Sequence, residues 1–132
     1  ARELLREQFM ESKSDSLAFT LSGGQKRKLS LAMSFMGDPK LVFLDEPSSG
    51  LDSAARREIW TLLRTRKEGR VIVLTTHYME EADRLCDRIA IIDGGSIIAL
   101  GTAADLKGRL GDPTRVTLEE VFLDLTGQSL RD

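Results

Sequence analysis

Two adjacent carboxylates, Asp45 and Glu46, stand at the end of an apolar run, Leu41-Val42-Phe43-Leu44, and Pro47 follows them at once. Successive side chains of an extended segment point to opposite sides, so the two acids can face different parts of one site and take different tasks. In open α/β sheets ligands bind beyond the carboxyl ends of the strands, where one acid can hold a divalent metal and the other activate a water. A second set is Ser22-Gly23-Gly24-Gln25. Glycines at a helix start let a ligand approach the main chain, and the free N–H groups with the helix dipole favour an anion there. The chain's only histidine, His77, follows a further apolar run, Val71-Ile72-Val73-Leu74. Taken singly, the acids also read as the solvated end of a buried strand, Ser22 as an ordinary N-cap, and His77 as a structural residue at a strand end.

These residues need a scaffold that brings strand ends and a helix start together. The unbroken apolar run at 41–44 predicts a strand buried on both faces, as in the middle of a parallel sheet. Upstream, Leu29, Ala32, Met33 and Met36 predict a helix that starts after the glycine pair and stops at Gly37-Asp38-Pro39. Lys26, Arg27 and Lys28 sit badly at its positive end, at a cost of a few tenths to ~1 kcal/mol, so an anion or an acidic neighbour is expected beside them. Downstream, Ser48-Ser49-Gly50 turns the chain into a helix beginning near Asp52 or Ser53, with Ala55, Ile59, Leu62 and Leu63 on one face. With the strand ending at His77 this makes a β-α-β unit whose strands run parallel.

The rest reads as a small α/β ending. Met79, Ala82, Leu85 and Cys86 line a helix, 89–92 is a strand, and Asp93-Gly94-Gly95 turns it into a hairpin. Thr102 to Asp105 and Thr117 to Glu120 read as capping boxes, the second opening a helix with Leu118, Val121, Phe122 and Leu125 on one side and Gly127 at its end. Residues 2–10, with Leu4, Leu5, Phe9 and Met10, read as a short amphipathic helix.

Composition bounds the function. The chain has 132 residues, 41% apolar and 30% charged, enough for one modest core and without a run long enough to span a bilayer. A formal charge of −2 gives no bias toward nucleic acid. Cys86 is the only cysteine, so no intrachain disulfide forms.

Leu21-Ser22-Gly23-Gly24-Gln25 resembles, residue for residue, the signature motif of ABC-type ATPases. The strand carrying Asp45 and Glu46 resembles their Walker B segment, Ser49-Gly50-Leu51-Asp52 their D-loop, and His77 their switch histidine. Four motifs in this order and spacing do not arise by chance. The wording of 117–127, Thr-Leu-Glu-Glu-Val-Phe-Leu-Asp-Leu-Thr-Gly, is similar to the ATPases of drug- and lipid-type exporters, both the daunorubicin-exporter-like bacterial group and the eukaryotic subfamily A. In that group a small subdomain usually precedes this helix; here only residues 112–116 stand in its place, so it is missing or shortened.

The resemblance implies the C-terminal part of a P-loop NTPase domain, with a mainly parallel sheet, flanking helices and a short C-terminal hairpin with helices. Residues 1–37 would close the helical subdomain, 38–92 form the Walker B to switch-histidine core, and 93–132 the C-terminal hairpin and helices. The cofactors implied are ATP and Mg²⁺. Asp45 would hold the metal, Glu46 would deprotonate the attacking water, and His77 would touch the γ-phosphate. Leu21, Ser22, Gly23, Gly24 and Gln25 would face the ATP of a second ATPase domain in a head-to-tail dimer, and Asp52 would bridge the two sites. Transmembrane domains would be the other partners, and the location the cytoplasmic face of a membrane. No Gly-Lys pair exists in the sequence, so the Walker A loop, G-x-x-x-x-G-K followed by Ser or Thr, is absent, and the chain by itself is expected to be inactive and prone to self-association. The rival readings are an ABC ATPase of DNA repair or translation, and a non-catalytic interaction fragment.

Overall fold

The computed structural model describes residue 12 and residues 15–127, so the helix expected over 2–10 lies outside the described residues. The architecture is α/β, and the chain divides into two compact units, Ala1–His77 and Tyr78–Asp132.

In the first unit a short 3₁₀ turn, Ala18–Thr20, leads into α1, Gly23–Ser34. Ser22 caps that helix. Its side chain accepts the N–H of Gln25, and the Gln25 side chain accepts the N–H of Ser22, so two otherwise orphaned donors are satisfied. β1, Leu41–Asp45, and β2, Val71–Thr75, pair in parallel, with Asp45 opposite Thr75, and α2, Ser53–Arg66, crosses between them as expected of a β-α-β unit. Asp52 caps α2, its Oδ1 accepting the N–H groups of Ala54 and Ala55 at 2.9 Å each.

Two expectations are corrected here. α1 buries Leu31 and Ala32, with Phe35 at its end, while Met33 and Met36 are exposed, so the inward face lies to one side of the expected stripe. Apolar residues occur at 29, 31, 32, 33, 35 and 36, a pattern that fits more than one rotation of the helix. Two cations select the rotation. Arg27 reaches the main chain after β1, and Lys28 pairs with Glu58 of α2. β1 is buried on one face only. Val42 and Leu44 are buried, whereas Leu41 and Phe43 are 52% and 71% exposed, and Val71 and Val73 of β2 share that exposure. A strand of period two presents every second side chain to each face, and in a two-stranded sheet covered on one side the other set meets water. The buried set is completed by Ile59, Trp60, Leu62 and Leu63 of α2.

The second unit follows its sequence pattern closely. α3, Met79–Leu85, precedes β3, Ile89–Asp93, and β4, Ser96–Gly101, which form an antiparallel hairpin. Gly94 and Gly95 both have positive φ, 51° and 78°, the conformation that a two-residue hairpin turn demands and that side chains resist. α4, Ala103–Lys107, and α5, Leu118–Thr126, complete a core of Ala82, Ile91, Ala99, Leu106, Leu118 and Val121, against which Cys86 is half-buried. Lys107 donates to Asp83 at 2.6 Å and ties α4 to α3. No helix among the described residues is long and apolar enough to cross a membrane.

Both expected capping boxes are present, Thr102 with Asp105 and Thr117 with Glu120. The hydroxyl and N–H of Thr102 hold Asp105 below its ordinary 3.8, and the N–H and hydroxyl of Thr117 hold Glu120 below 4.5. Each folded-state value is lower than the unfolded one, so the unfolded chain binds more protons as pH falls and stability is lost below about pH 4.5. The urea midpoint is expected to hold steady above that range and decline beneath it, with a shallower decline in Glu120→Gln. An identical slope in that variant would show that the cap does not carry the effect.

Candidate functional site

The carboxyl ends of β1 and β2 bring three of the sequence-derived site residues together. Asp45 is the last residue of β1 and Thr75 of β2. The Thr75 hydroxyl donates to Asp45 Oδ1, and the Thr75 hydroxyl oxygen in turn accepts the N–H of Glu46 at 3.2 Å. That N–H also reaches the Thr75 carbonyl at 3.1 Å. One threonine thus fixes one acid by its carboxylate and the other by its backbone. Nothing in the sequence had marked Thr75 for a role; once the parallel register is known, its place opposite Asp45 is the signal.

Glu46 leaves the strand with φ at 48°, in the left-handed region that non-glycine residues avoid. The turn lets its side chain swing toward His77, whose Nδ1 lies 2.7 Å from Glu46 Oε2. Oε2 is shielded from solvent, and among the described residues no group other than His77 reaches it. Asp45 remains exposed, with one oxygen taken by Thr75. The pair is therefore differentiated by its surroundings, one acid open and one oriented by an imidazole.

The chemistry of the donor set fits Mg²⁺. Among the described residues no three His, Cys, Asp or Glu side chains form a cage for a metal ion. Mg²⁺ does not require one, because it keeps waters and binds through one or two carboxylates together with substrate phosphates. Asp45 offers such a carboxylate.

The second set lies at the start of α1. Gly23 and Gly24 form its first turn with ordinary φ. A Cβ on Gly23 would meet nothing within 4 Å, and one on Gly24 would make ordinary contacts with Leu51 and Ala55 at 3.8 and 3.9 Å. The fold of this chain therefore demands neither glycine. What their bareness leaves open is the main chain at a helix N-terminus, where an anion is favoured. Ser22 accepts one bond as N-cap, and its own hydroxyl hydrogen can still be offered outward. Gln25 spends its carbonyl oxygen on the cap, and Leu21 is buried, anchoring the turn. Asp52, held below its ordinary value by the N–H groups of Ala55 and Ala54, caps α2 beside Leu51 and is ionised at neutral pH. Ser22 to Gln25 and the acid pair are thus two separate sets, the first at a helix start and the second at strand ends.

Comparison with known proteins gives three kinds of match. A family model described as "ABC transporter" matches residues 1–49. "ATP-binding cassette sub-family A member 2" of Homo sapiens is 51% identical over 109 residues, covering 83% of this chain and 4% of that protein. "ABC transporter A family member 2" of Arabidopsis thaliana is 54% identical over 94 residues, covering 71% of this chain and 10% of that protein. Among solved structures, "Structure of ATP binding subunit of ABC transporter" superposes with a TM-score of 0.77 at 32% identity, over 93% of this chain and 51% of that one. The chain spans about half of that subunit and a small part of the full-length relatives.

Because alanine is accommodated sterically at position 24 and favoured over glycine in a helix by up to about 1 kcal/mol, Gly24→Ala should leave the melting temperature unchanged or raise it. A clear drop would show the glycine to be structural.

Proposed function

From the premise that this chain belongs to the ATP-binding domains of ABC transporters, with strong similarity to subfamily A members, we propose that it forms the C-terminal part of an ATP-hydrolysing domain. The observation that carries the reading is the meeting of Glu46 and His77 beyond the ends of two parallel strands, beside a separate carboxylate, Asp45.

In this reading Glu46 accepts the proton of the attacking water. A carboxylate serves as general base when it is oriented and within reach of the proton it takes, and His77 supplies the orientation. His77 would also contact the terminal phosphate of the bound nucleotide. Asp45 is the residue that would hold Mg²⁺, which when bound neutralises phosphate charge. Ser22, Gly23, Gly24 and Gln25 serve a second nucleotide, that of a partner ATPase domain docked head to tail, with Leu21 anchoring the motif and Asp52 placed between the sites. Such catalysis works by positioning and charge stabilisation.

The wider roles extend the same reading. ATP turnover would drive transmembrane domains that move a drug-like or lipid substrate, with the ATPase on the cytoplasmic face of a membrane. Residues 1–37, 38–92 and 93–132 would be the end of the helical subdomain, the catalytic core and the C-terminal hairpin with helices. The exposed face of Leu41, Phe43, Val71 and Val73 supports further packing in the complete domain, since apolar patches of this kind mark buried surfaces. Residues 1–132 contain no phosphate-cradling lysine loop, so by themselves they would neither hydrolyse ATP nor bind it tightly.

The test uses the complete ATP-binding domain. Glu46→Gln should lower turnover by about 10²–10³-fold, the usual effect of removing one aligned group, while ATP binding persists. His77→Ala should do the same with little change in melting temperature. Undiminished turnover in Glu46→Gln would overturn the assignment.

A further inference from the structure

Arg27 sits one turn into α1, and among the described residues its guanidinium makes no ion pair. Its Nε–H donates to the Pro47 carbonyl at 2.9 Å and a terminal N–H to the Glu46 carbonyl. Lys28 beside it takes the acidic partner that such cations invite, Glu58, whereas Arg27 is aimed at two consecutive main-chain oxygens. Both carbonyls follow the Cα of Glu46, the residue whose backbone is in the left-handed region. The planar fork of arginine fits two neighbouring acceptors, which the single ammonium of lysine does not.

We propose that Arg27 is a positioning residue for Glu46: by clamping the carbonyls of Glu46 and Pro47 to α1, it holds the Glu46 backbone in the conformation that aims its carboxylate at His77. The Glu46 N–H is fixed from β2 by Thr75, and its carbonyl is fixed from α1 by Arg27 and from the turn by Ser49 N–H at 3.1 Å. With Arg27 removed, the peptide following Glu46 can rotate and φ can relax to a negative value. The carboxylate would then swing away from His77. Because α1 is capped by Ser22 and begins with Gly23-Gly24, the same side chain ties the helix whose start is open to an anion to the acid at the strand end. The proposal rests on the reading of Glu46 as general base.

The experiment is a double-mutant cycle in the complete ATP-binding domain, with Arg27→Met, Arg27→Lys, Glu46→Gln and Arg27→Met combined with Glu46→Gln. Misplacing a catalytic group by about 1 Å costs on the order of 10²-fold, so Arg27→Met should lower kcat by about 10–100-fold. KM for ATP should stay within about twofold, since Glu46 does not hold the nucleotide. Arg27→Lys, which can satisfy one carbonyl, should recover part of the loss. In the Glu46→Gln background Arg27→Met should cost nothing further, because residues that act through one another do not multiply their effects. Wild-type kcat in Arg27→Met, or losses that multiply in the double variant, would overturn the proposal while leaving Glu46 as base. If Arg27→Met does not fold, Arg27→Lys alone decides: an unchanged kcat refutes the clamp, and a partial loss at constant KM that vanishes in the Glu46→Gln background supports it. Full turnover in Glu46→Gln would refute the underlying reading instead.

Discussion

The left-handed turn at Glu46 is the constraint on which the site depends. A side chain in that region of backbone space costs roughly 1–2 kcal/mol, and it persists only where neighbours over-determine it. Here they do. Thr75 holds the N–H, Arg27 and Ser49 hold the carbonyl, and Pro47 fixes the next φ and removes a donor that would compete. The effect is to turn a strand's last two carboxylates into different groups. Asp45 stays in the strand, exposed and bonded to Thr75, while Glu46 leaves it and meets His77. Without the turn, alternation along the strand alone would separate the two acids without bringing an imidazole to either.

Much of this was legible from residue types. The acid pair, the glycine pair at a helix start and the lone histidine at a strand end stood out by position, and the β-α-β pattern required β1 and β2 to end side by side. That requirement carries His77 to Glu46 across 30 intervening residues. The second unit was legible for a simpler reason, since capping boxes and the Gly94-Gly95 turn are local signals that fix element ends without knowledge of neighbours. What could not be read was set by contacts between distant segments. The inward face of α1 was ambiguous because its apolar residues spread over more than half of its circumference; the tethers from Arg27 and Lys28 choose Leu31, Ala32 and Phe35. The role of Thr75 depends on strand register, which no single strand reveals. Trp60 is buried on α2 beside Ile59, a position the helical stripe of Ala55, Ile59, Leu62 and Leu63 did not include.

The apolar run at 41–44 illustrates how composition and structure inform one another. Its unbroken character predicted burial on both faces, and the structure covers one, leaving Leu41 and Phe43 in the open with Val71 and Val73. Exposing such side chains is unfavourable at roughly 25 cal/mol per Å². The solved ATP-binding subunit that this chain superposes on is about twice as long as the aligned part. Sequence and structure agree, then, on a sheet face whose residue types ask for cover and whose two strands do not supply it. The second unit presents a different balance, with a closed core of small and branched residues and half-buried apolar groups around it.

The central claim, that a left-handed Glu46 clamped by Arg27 and Thr75 presents the general base, is tested most directly by a structure of the complete ATP-binding domain with Mg²⁺, ADP and a fluoride mimic of the transferred phosphate. The account predicts positive φ at Glu46, Arg27 on the carbonyls of Glu46 and Pro47, and a water between the Glu46 carboxylate and the mimic, within about 3.2 Å of the acid. A Glu46 backbone at negative φ, with its carboxylate turned away from that water, would contradict it.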